Sequence, residues 1–198
     1  VKIKKLISAL VLGSMLVGLS GCNITDFSAE NLLRPPKAVG DEAEIEQLIA
    51  KTADSGYTLK YPKNGKFRSA IIMTDLDGND SNEAVAFFRN SAETSSVHML
   101  VMYSKDNSWE IASDNIFETT DIDSVDFADL TGNGKAEIIV NSTTYTPNVG
   151  KLSCYSYSEG KTNEVGSGQS CSSFVTGDFD NDGTSEIMSL VLYTTENE

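Results

Sequence analysis

Basic residues, histidine and cysteine are scarce in this chain of 198 residues. Its 15 lysines and arginines stand against 29 aspartates and glutamates, which gives a net charge of −14. So acidic a surface repels phosphate backbones, which argues against nucleic acid as a partner and suits the binding of cations. The single histidine, His98, has no second histidine with which to build a metal cluster, and we expect it on the surface of a strand.

Three cysteines occur, and two of them, Cys154 and Cys171, flank a turn-rich segment. Two alternatives stay open for this pair: a disulfide across neighbouring strands, or two buried free thiols. Neither cysteine has a histidine partner of the kind that activates a nucleophile. With no convergent set of base and nucleophile elsewhere, the sequence predicts a chain that is not itself an enzyme.

Long apolar runs are missing except at the N-terminus, where basic VKIKK precedes residues 6–19. That run is too short for a hydrocarbon core of about 30 Å but is typical of a signal peptide, here 1–21. The following LSGC resembles the lipobox of bacterial lipoproteins, which implies that Cys22 carries the lipid. An ordinary secretory signal is the alternative. We therefore expect a lipid anchor on the extracytoplasmic face of a bacterial cell membrane, followed by a tether over 22–40 that contains Pro35 and Pro36.

The segment 41–56 has the pattern of one short helix. Asp41 followed by Glu44 reads as a capping box, with Asp41 as the N-cap residue. Ile45, Leu48 and Ile49 share one helical face, so we expect the helix to pack on a sheet.

Residues 57–198 contain an acidic segment that occurs three times. The copies are DLDGNDSNE at 75–83, DLTGNGKAE at 129–137 and DFDNDGTSE at 178–186, and an apolar run follows each. Each copy has aspartate at position 1, an oxygen-bearing side chain at positions 3 and 5, and glutamate at position 9. Recurrence at this spacing is the mark of a repeat architecture.

Short β-type segments surround the acidic copies. Strands are predicted over 67–74, 84–89, 97–104 and 108–112, so one unit holds four strands. Four strands per unit predict an all-β fold, specifically a partial β-propeller of about three four-stranded blades with acidic calcium-type loops. A β-sandwich explains the recurring loop less well.

Alternating oxygens suit a hard cation, because Ca²⁺ takes six to eight oxygen ligands at about 2.3–2.6 Å. An EF-hand also begins this way but needs an acid at position 12, where the three copies have Ala86, Val140 and Ser189. The alternative without metal is that aspartate and asparagine simply stabilise turns.

The pattern resembles the FG-GAP/VCBS-type repeat, the calcium-loop blade of integrin-α-like propellers, over roughly residues 65–198. The resemblance implies structural Ca²⁺ in each loop. The candidate ligands are Asp75, Asp77, Asn79 and Glu83 in the first loop, Asp129, Asn133 and Glu137 in the second, and Asp178, Asp180, Asp182, the Thr184 carbonyl and Glu186 in the third. Falling carboxylate counts predict that affinity decreases from the third loop to the first and then to the second.

Three repeats supply about three blades, whereas closed propellers hold four to eight, so we expect the N-terminal part of a longer protein. The leading functional hypothesis is a membrane-anchored recognition module for a protein or glycan ligand. The alternatives are a non-catalytic part of an extracellular lyase or hydrolase, and a purely structural envelope lipoprotein. Asp121 and Asp123 invite a general acid–base reading, but we expect them to be solvated polar residues.

Overall fold

The computed structural model describes residues 40–54, 56–93, 95–146 and 148–192. The predicted signal peptide (1–21), the tether up to residue 39 and the predicted lipidation site Cys22 lie outside these ranges. Within them, no helix has the length and apolar character needed to cross a bilayer.

The described residues form one helix and eleven strands. Their bounds are α1 Asp41–Ala53, β1 Tyr57–Leu59, β2 Ile71–Thr74, β3 Glu83–Asn90, β4 Val97–Lys105, β5 Ser108–Phe117, β6 Ile122–Ala128, β7 Glu137–Thr143, β8 Gly150–Ser158, β9 Lys161–Cys171, β10 Ser173–Gly177 and β11 Glu186–Leu190. All strands fall within the predicted repeat region, 57–198. The all-β prediction with one short helix is confirmed.

Helix α1 starts one residue earlier than the capping-box pattern predicts. Gly40 is the N-cap residue, and no side chain among the described residues caps the helix. Asp41 instead lies in the first turn, where its negative charge suits the helix dipole. The helix ends at Ala53, short of the predicted residue 56, because Asp54 adopts a left-handed backbone with φ 56°.

The first sheet is an antiparallel meander of β3, β4 and β5, with two short strands along the free edge of β3. Strand β2 pairs with the first half of β3, and the unpredicted β1 pairs with its last residues. Strand β1 escaped prediction because three residues are too few to show a period. Strand β5 runs to Phe117, beyond the predicted 112, with a register shift between Val101 and Met102 of β4.

The second sheet repeats this plan with the order β6-β7-β8-β9, and β10 pairs with β11 as a third, two-stranded sheet. In all three sheets an acidic loop joins two paired antiparallel strands: β2 to β3, β6 to β7, and β10 to β11. The sequence repeat is therefore also a structural repeat.

These elements pack together through three buried apolar layers. The first lies between α1 and the first sheet, where Ile45 and Ile49 meet Phe88, Leu100 and Met102. The predicted helical face is thus confirmed. A second layer packs the first sheet on the second sheet, and the third layer lies between the second and third sheets. Strand β3 is buried on both faces from Ala84 to Phe88, so these five residues are all apolar rather than alternating.

The outer face of the third sheet is apolar and exposed. Val175 and Met188 are cross-strand partners there, and each is more than half exposed. Met188 stands two residues after the position-9 glutamate, as do Val85 and Ile139, which are fully buried under the next sheet. In the third repeat this face is therefore exposed, whereas in the first two repeats the next sheet covers it.

Candidate cation site

The three acidic loops share one hydrogen-bond framework around the position-1 aspartate. Its Oδ2 atom accepts a hydrogen bond from the backbone N–H five residues later. The three pairs are Asp75 with Asp80 at 2.9 Å, Asp129 with Gly134 at 2.7 Å, and Asp178 with Gly183 at 2.9 Å. One carboxylate thus holds each turn closed, as aspartate commonly does.

The position-5 side chain repeats this role on a smaller scale, because its oxygen accepts from the backbone N–H two residues later. The pairs are Asn79 with Ser81 at 2.7 Å, Asn133 with Lys135 at 2.8 Å, and Asp182 with Thr184 at 2.8 Å. A carboxylate or amide oxygen has further lone pairs, so these bonds stabilise the turn and leave capacity for a cation.

The position-9 glutamate has a role that sequence reasoning missed. Its Oε2 atom reaches back across the loop to the backbone N–H of position 2. The pairs are Glu83 with Leu76, Glu137 with Leu130 and Glu186 with Phe179, each at 2.8 Å. The glutamate therefore closes the loop with one carboxylate oxygen. The sequence signal was the recurrence of glutamate at position 9 in all three copies.

Two loops bring their acids together. Asp178, Asp180, Asp182 and Glu186 place carboxylate oxygens within 4.8 Å of one another in the third loop. Asp75, Asp77 and Glu83 do the same in the first. The second loop has only Asp129 and Glu137, because Thr131 occupies position 3, and it forms no such three-acid group within the described ranges.

The first loop contains an acceptor with no donor. The Oδ1 atom of Asp77 is buried and has no hydrogen-bond partner among the described residues. Leaving a buried acceptor unpaired costs about 1–3 kcal/mol, and more when the group is charged. An ion coordinated by Asp77, Asp75 and Glu83 relieves that cost, and an all-oxygen donor set is the kind that Ca²⁺ prefers. The residues of this loop therefore fit a hard divalent cation.

The loops also shift the pKa values of their acidic side chains. Burial alone would raise the pKa of Asp75 and of Asp129, but four backbone N–H donors to each carboxylate outweigh it and lower the pKa below its usual range. Burial raises the pKa of Glu83, and repulsion from Asp77 and Asp75 adds to the rise although the Leu76 N–H opposes it. Without a cation, the first loop thus holds mutually repelling carboxylates.

Successive loops contact one another through the main chain. The N–H of Ala136 in the second loop donates to the carbonyl of Leu76 in the first at 3.0 Å. The N–H of Ser185 in the third loop donates to the carbonyl of Asp129 in the second at 2.8 Å. Both donors occupy position 8 of their loop. The second and the third loop therefore each contact the loop before them through the main chain.

The two described cysteines are free thiols, Cys154 half-buried and Cys171 buried. The register places Cys154 opposite Gly166 and Cys171 opposite Gly150, so neither cysteine faces the other across β8 and β9. Burial raises the pKa of both thiols. A raised pKa lowers the thiolate fraction and makes them poor nucleophiles.

The prediction that His98 lies on a strand surface was wrong. Its side chain is buried, stacks on Phe88 at a ring-centroid distance of 4.8 Å, and bonds to Asp114 through Nδ1 at 2.9 Å. Its Nε2 atom lies 3.4 Å from the Glu93 carboxylate. Strand β4 is buried because β3 and β5 flank it and apolar layers cover both faces, which a single-strand pattern does not reveal.

Asp121 and Asp123 serve as ties rather than as an acid–base pair. Asp121 binds Lys60 at 2.7 Å and Lys63 at 3.2 Å. Burial alone would raise its pKa, but these hydrogen-bonded lysines lower it. Asp123 accepts a hydrogen bond from Asn64 at 2.9 Å. Both acids thereby link the segment after β1 to the start of β6.

Comparison of the chain with protein-family models, with curated proteins and with solved structures finds no match.

Proposed function

We propose that this chain is a calcium-stabilised β-repeat module whose acidic loops each bind a divalent cation. The unpartnered, buried Oδ1 atom of Asp77 is the observation that carries the proposal. The four-acid group of the third loop supports it independently. The proposed ligands are those predicted from the sequence, with each position-9 glutamate also closing its loop through Oε2.

The sheets are proposed to be successive blades of a β-propeller of the FG-GAP/VCBS type. Three relations support this arrangement. Each sheet has an acidic loop between two paired strands, neighbouring sheets pack face to face in chain order, and a position-8 N–H joins the second and the third loop to the loop before it. Bound cations then stiffen the edge along which the blades meet.

The biological role that we propose is recognition of a protein or glycan outside the cytoplasm, with the module held at the membrane through a lipid on Cys22. Two exposed aromatic side chains support a binding surface: Tyr145 is 91% exposed and Tyr61 is 60% exposed. Large exposed aromatics are enriched at binding surfaces because they bury much area on contact.

A calcium titration followed by thermal unfolding tests the metal proposal. At a calcium concentration 100-fold above Kd, a single site adds about 2.7 kcal/mol, which raises Tm by roughly 5–10 °C for a chain of this size. We expect this rise with calcium and its reversal with a chelator. Asp77→Asn should reduce it, whereas Asp106→Asn, in an exposed turn outside the loops, should not. An unchanged Tm across the whole titration contradicts the proposal.

Lipid attachment needs a separate experiment in a bacterial host. Fractionation with metabolic labelling by a radioactive fatty acid should place the labelled protein in the membrane fraction. Cys22→Ala should abolish the label, whereas Cys154→Ala should retain it. Label that persists in Cys22→Ala excludes Cys22 as the anchor.

A further inference from the structure

We infer that the second sheet carries a binding site for a neutral sugar unit, at the end opposite its acidic loop. A cavity of about 480 Å³ opens there, between the start of β6, the end of β7 and the start of β8. That volume falls within the range of about 300–1,000 Å³ typical of small-molecule sites. The acidic loop lies at the other end of β6 and β7, so the two sites are separate.

Hydroxyl and amide groups dominate the lining of this cavity. Its polar side chains include Lys63, Asn64, Asp123, Asn141, Thr143 and Thr146. Such a mixture of donors and acceptors matches a polyhydroxyl compound, whose hydroxyl groups both donate and accept.

Asn141 is the residue that distinguishes this cavity from a gap between strands. Its side chain is 1% exposed, and its amide nitrogen donates to Asp123 Oδ2 at 3.3 Å. Its amide oxygen is buried without a hydrogen-bond partner among the described residues. The unpaired oxygen is costly. It packs against Gly150, which also lines the cavity, so the amide has to turn toward the cavity to accept a hydrogen bond from a ligand hydroxyl.

The repeat itself shows that this asparagine is unusual. Asn141 stands four residues after the position-9 glutamate of its loop, and the same position holds Phe87 in the first repeat and Leu190 in the third. Phe87 is fully buried in the apolar layer between the first and second sheets. The second repeat thus has a polar amide where its sister repeats have an apolar side chain, and it does so at the wall of the cavity.

The charges around the cavity favour a neutral ligand over an anion. Lys63 is the cation of the lining, and its ammonium group is already paired with Asp121 at 3.2 Å. Asp123 adds a carboxylate to the wall, which repels an anion and accepts hydrogen bonds from hydroxyl groups.

This inference rests on the proposed recognition role but not on calcium binding. The test is isothermal titration calorimetry of the 198-residue chain against glucose, galactose, mannose, N-acetylglucosamine and their disaccharides. Inorganic phosphate serves as the anionic probe. Asp123→Asn removes the carboxylate, and Thr146→Val removes an exposed hydroxyl at constant shape without touching the core. Thr58→Val, at the exposed residue of strand β1 and outside the cavity, is the matched control.

We expect saturable millimolar binding of at least one sugar, weakened about tenfold by Asp123→Asn and measurably by Thr146→Val, and unchanged in Thr58→Val. No saturable sugar binding overturns the inference, as does sugar binding that both cavity variants leave unchanged. Binding of phosphate in preference to every sugar also overturns it. Measuring the calcium dependence of Tm on the same sample separates the two proposals, because sugar binding can be absent while calcium still raises Tm.

Discussion

The backbone N–H of Ser185 lies 2.8 Å from the carbonyl oxygen of Asp129, which joins the third acidic loop to the second. Ala136 and Leu76 join the second loop to the first in a similar way. The carbonyl of Asp129 thus contacts a neighbouring loop while its carboxylate closes its own turn. A change at one loop is therefore expected to affect the next, whether or not metal is bound.

Gly78→Ala should destabilise the protein more than Gly134→Ala does. Both glycines have a left-handed backbone, with φ of 75° and 78°, so alanine strains each by about 1–2 kcal/mol. At Gly78 the new Cβ atom would also lie 2.9 Å from the Gly134 carbonyl oxygen in the next loop, whereas at Gly134 no described heavy atom lies within 4 Å. Urea denaturation should show an extra loss of about 1–3 kcal/mol for Gly78→Ala. If the two variants lose the same free energy of unfolding, the close approach of Gly78 to the next loop does not contribute to stability.

Glu83→Ala should destabilise the metal-free protein by about 1–3 kcal/mol, because it leaves the buried N–H of Leu76 without its acceptor. Glu83→Gln should cost less, since its amide oxygen still accepts and the repulsion from Asp75 and Asp77 disappears. Urea denaturation in the presence of a chelator measures both. If the free energy of unfolding falls only when calcium is present, Glu83 is instead a calcium ligand with no role in closing the loop.

Asp80→Gly should leave stability unchanged or raise it by up to about 1 kcal/mol. Asp80 occupies position 6 with φ 65°, where the other two loops have Gly134 and Gly183. Glycine accepts this backbone without strain, and the change also removes a negative charge beside the first cluster. Asp80→Ala is the control and should be less stable than the glycine variant. A glycine variant less stable than the alanine variant would refute the conformational argument.

The stability of the metal-free protein should rise slightly and then fall as pH is lowered from neutral. The raised pKa of Glu83 means that folding favours its protonated form, so stability increases as pH falls through the folded-state pKa. The lowered pKa values of Asp75 and Asp129 have the opposite effect, and their contribution is lost as pH falls below about 4, the value for the unfolded chain.

Urea midpoints measured in chelator at successive pH values check this profile. Glu83→Gln should remove the initial rise, and Asp129→Asn should reduce the fall at low pH. A profile that is flat down to pH 3 would contradict the assignment of both effects, given the unfolded-state values of about 4.

The 198-residue chain should self-associate through the outer face of the third sheet. Val175, Met188 and Leu190 are each 55–59% exposed on that face, and contiguous apolar surface of this kind drives association. Met188→Lys should shift the protein toward monomer in size-exclusion chromatography with light scattering. Ile116→Lys, at a residue 58% exposed on the first sheet, is the control and should leave association unchanged. A wild-type chain that stays monomeric at high concentration would contradict the prediction.

The repeat, the all-β class and the candidate acids could be read from the sequence because they depend on local spacing. The position-1 aspartate accepts a hydrogen bond from the backbone N–H five residues later, and this local contact recurs in Asp75, Asp129 and Asp178. Residues whose environment depends on contacts beyond their own loop were predicted less well. His98 was placed on the surface, and Asp41 was assigned as a cap although Gly40 holds that position.

Local chain chemistry by itself determined that three turns carry oxygen-bearing side chains on alternating positions and that a strand follows each turn. Only the tertiary structure decided that the loops bond to one another, that Glu83 closes its own loop, that Cys154 and Cys171 lie out of register, and that Asn141 is buried with an unpaired oxygen. The reason is physical: these properties depend on which strands pair and which sheets come face to face, and such contacts join residues far apart in the chain.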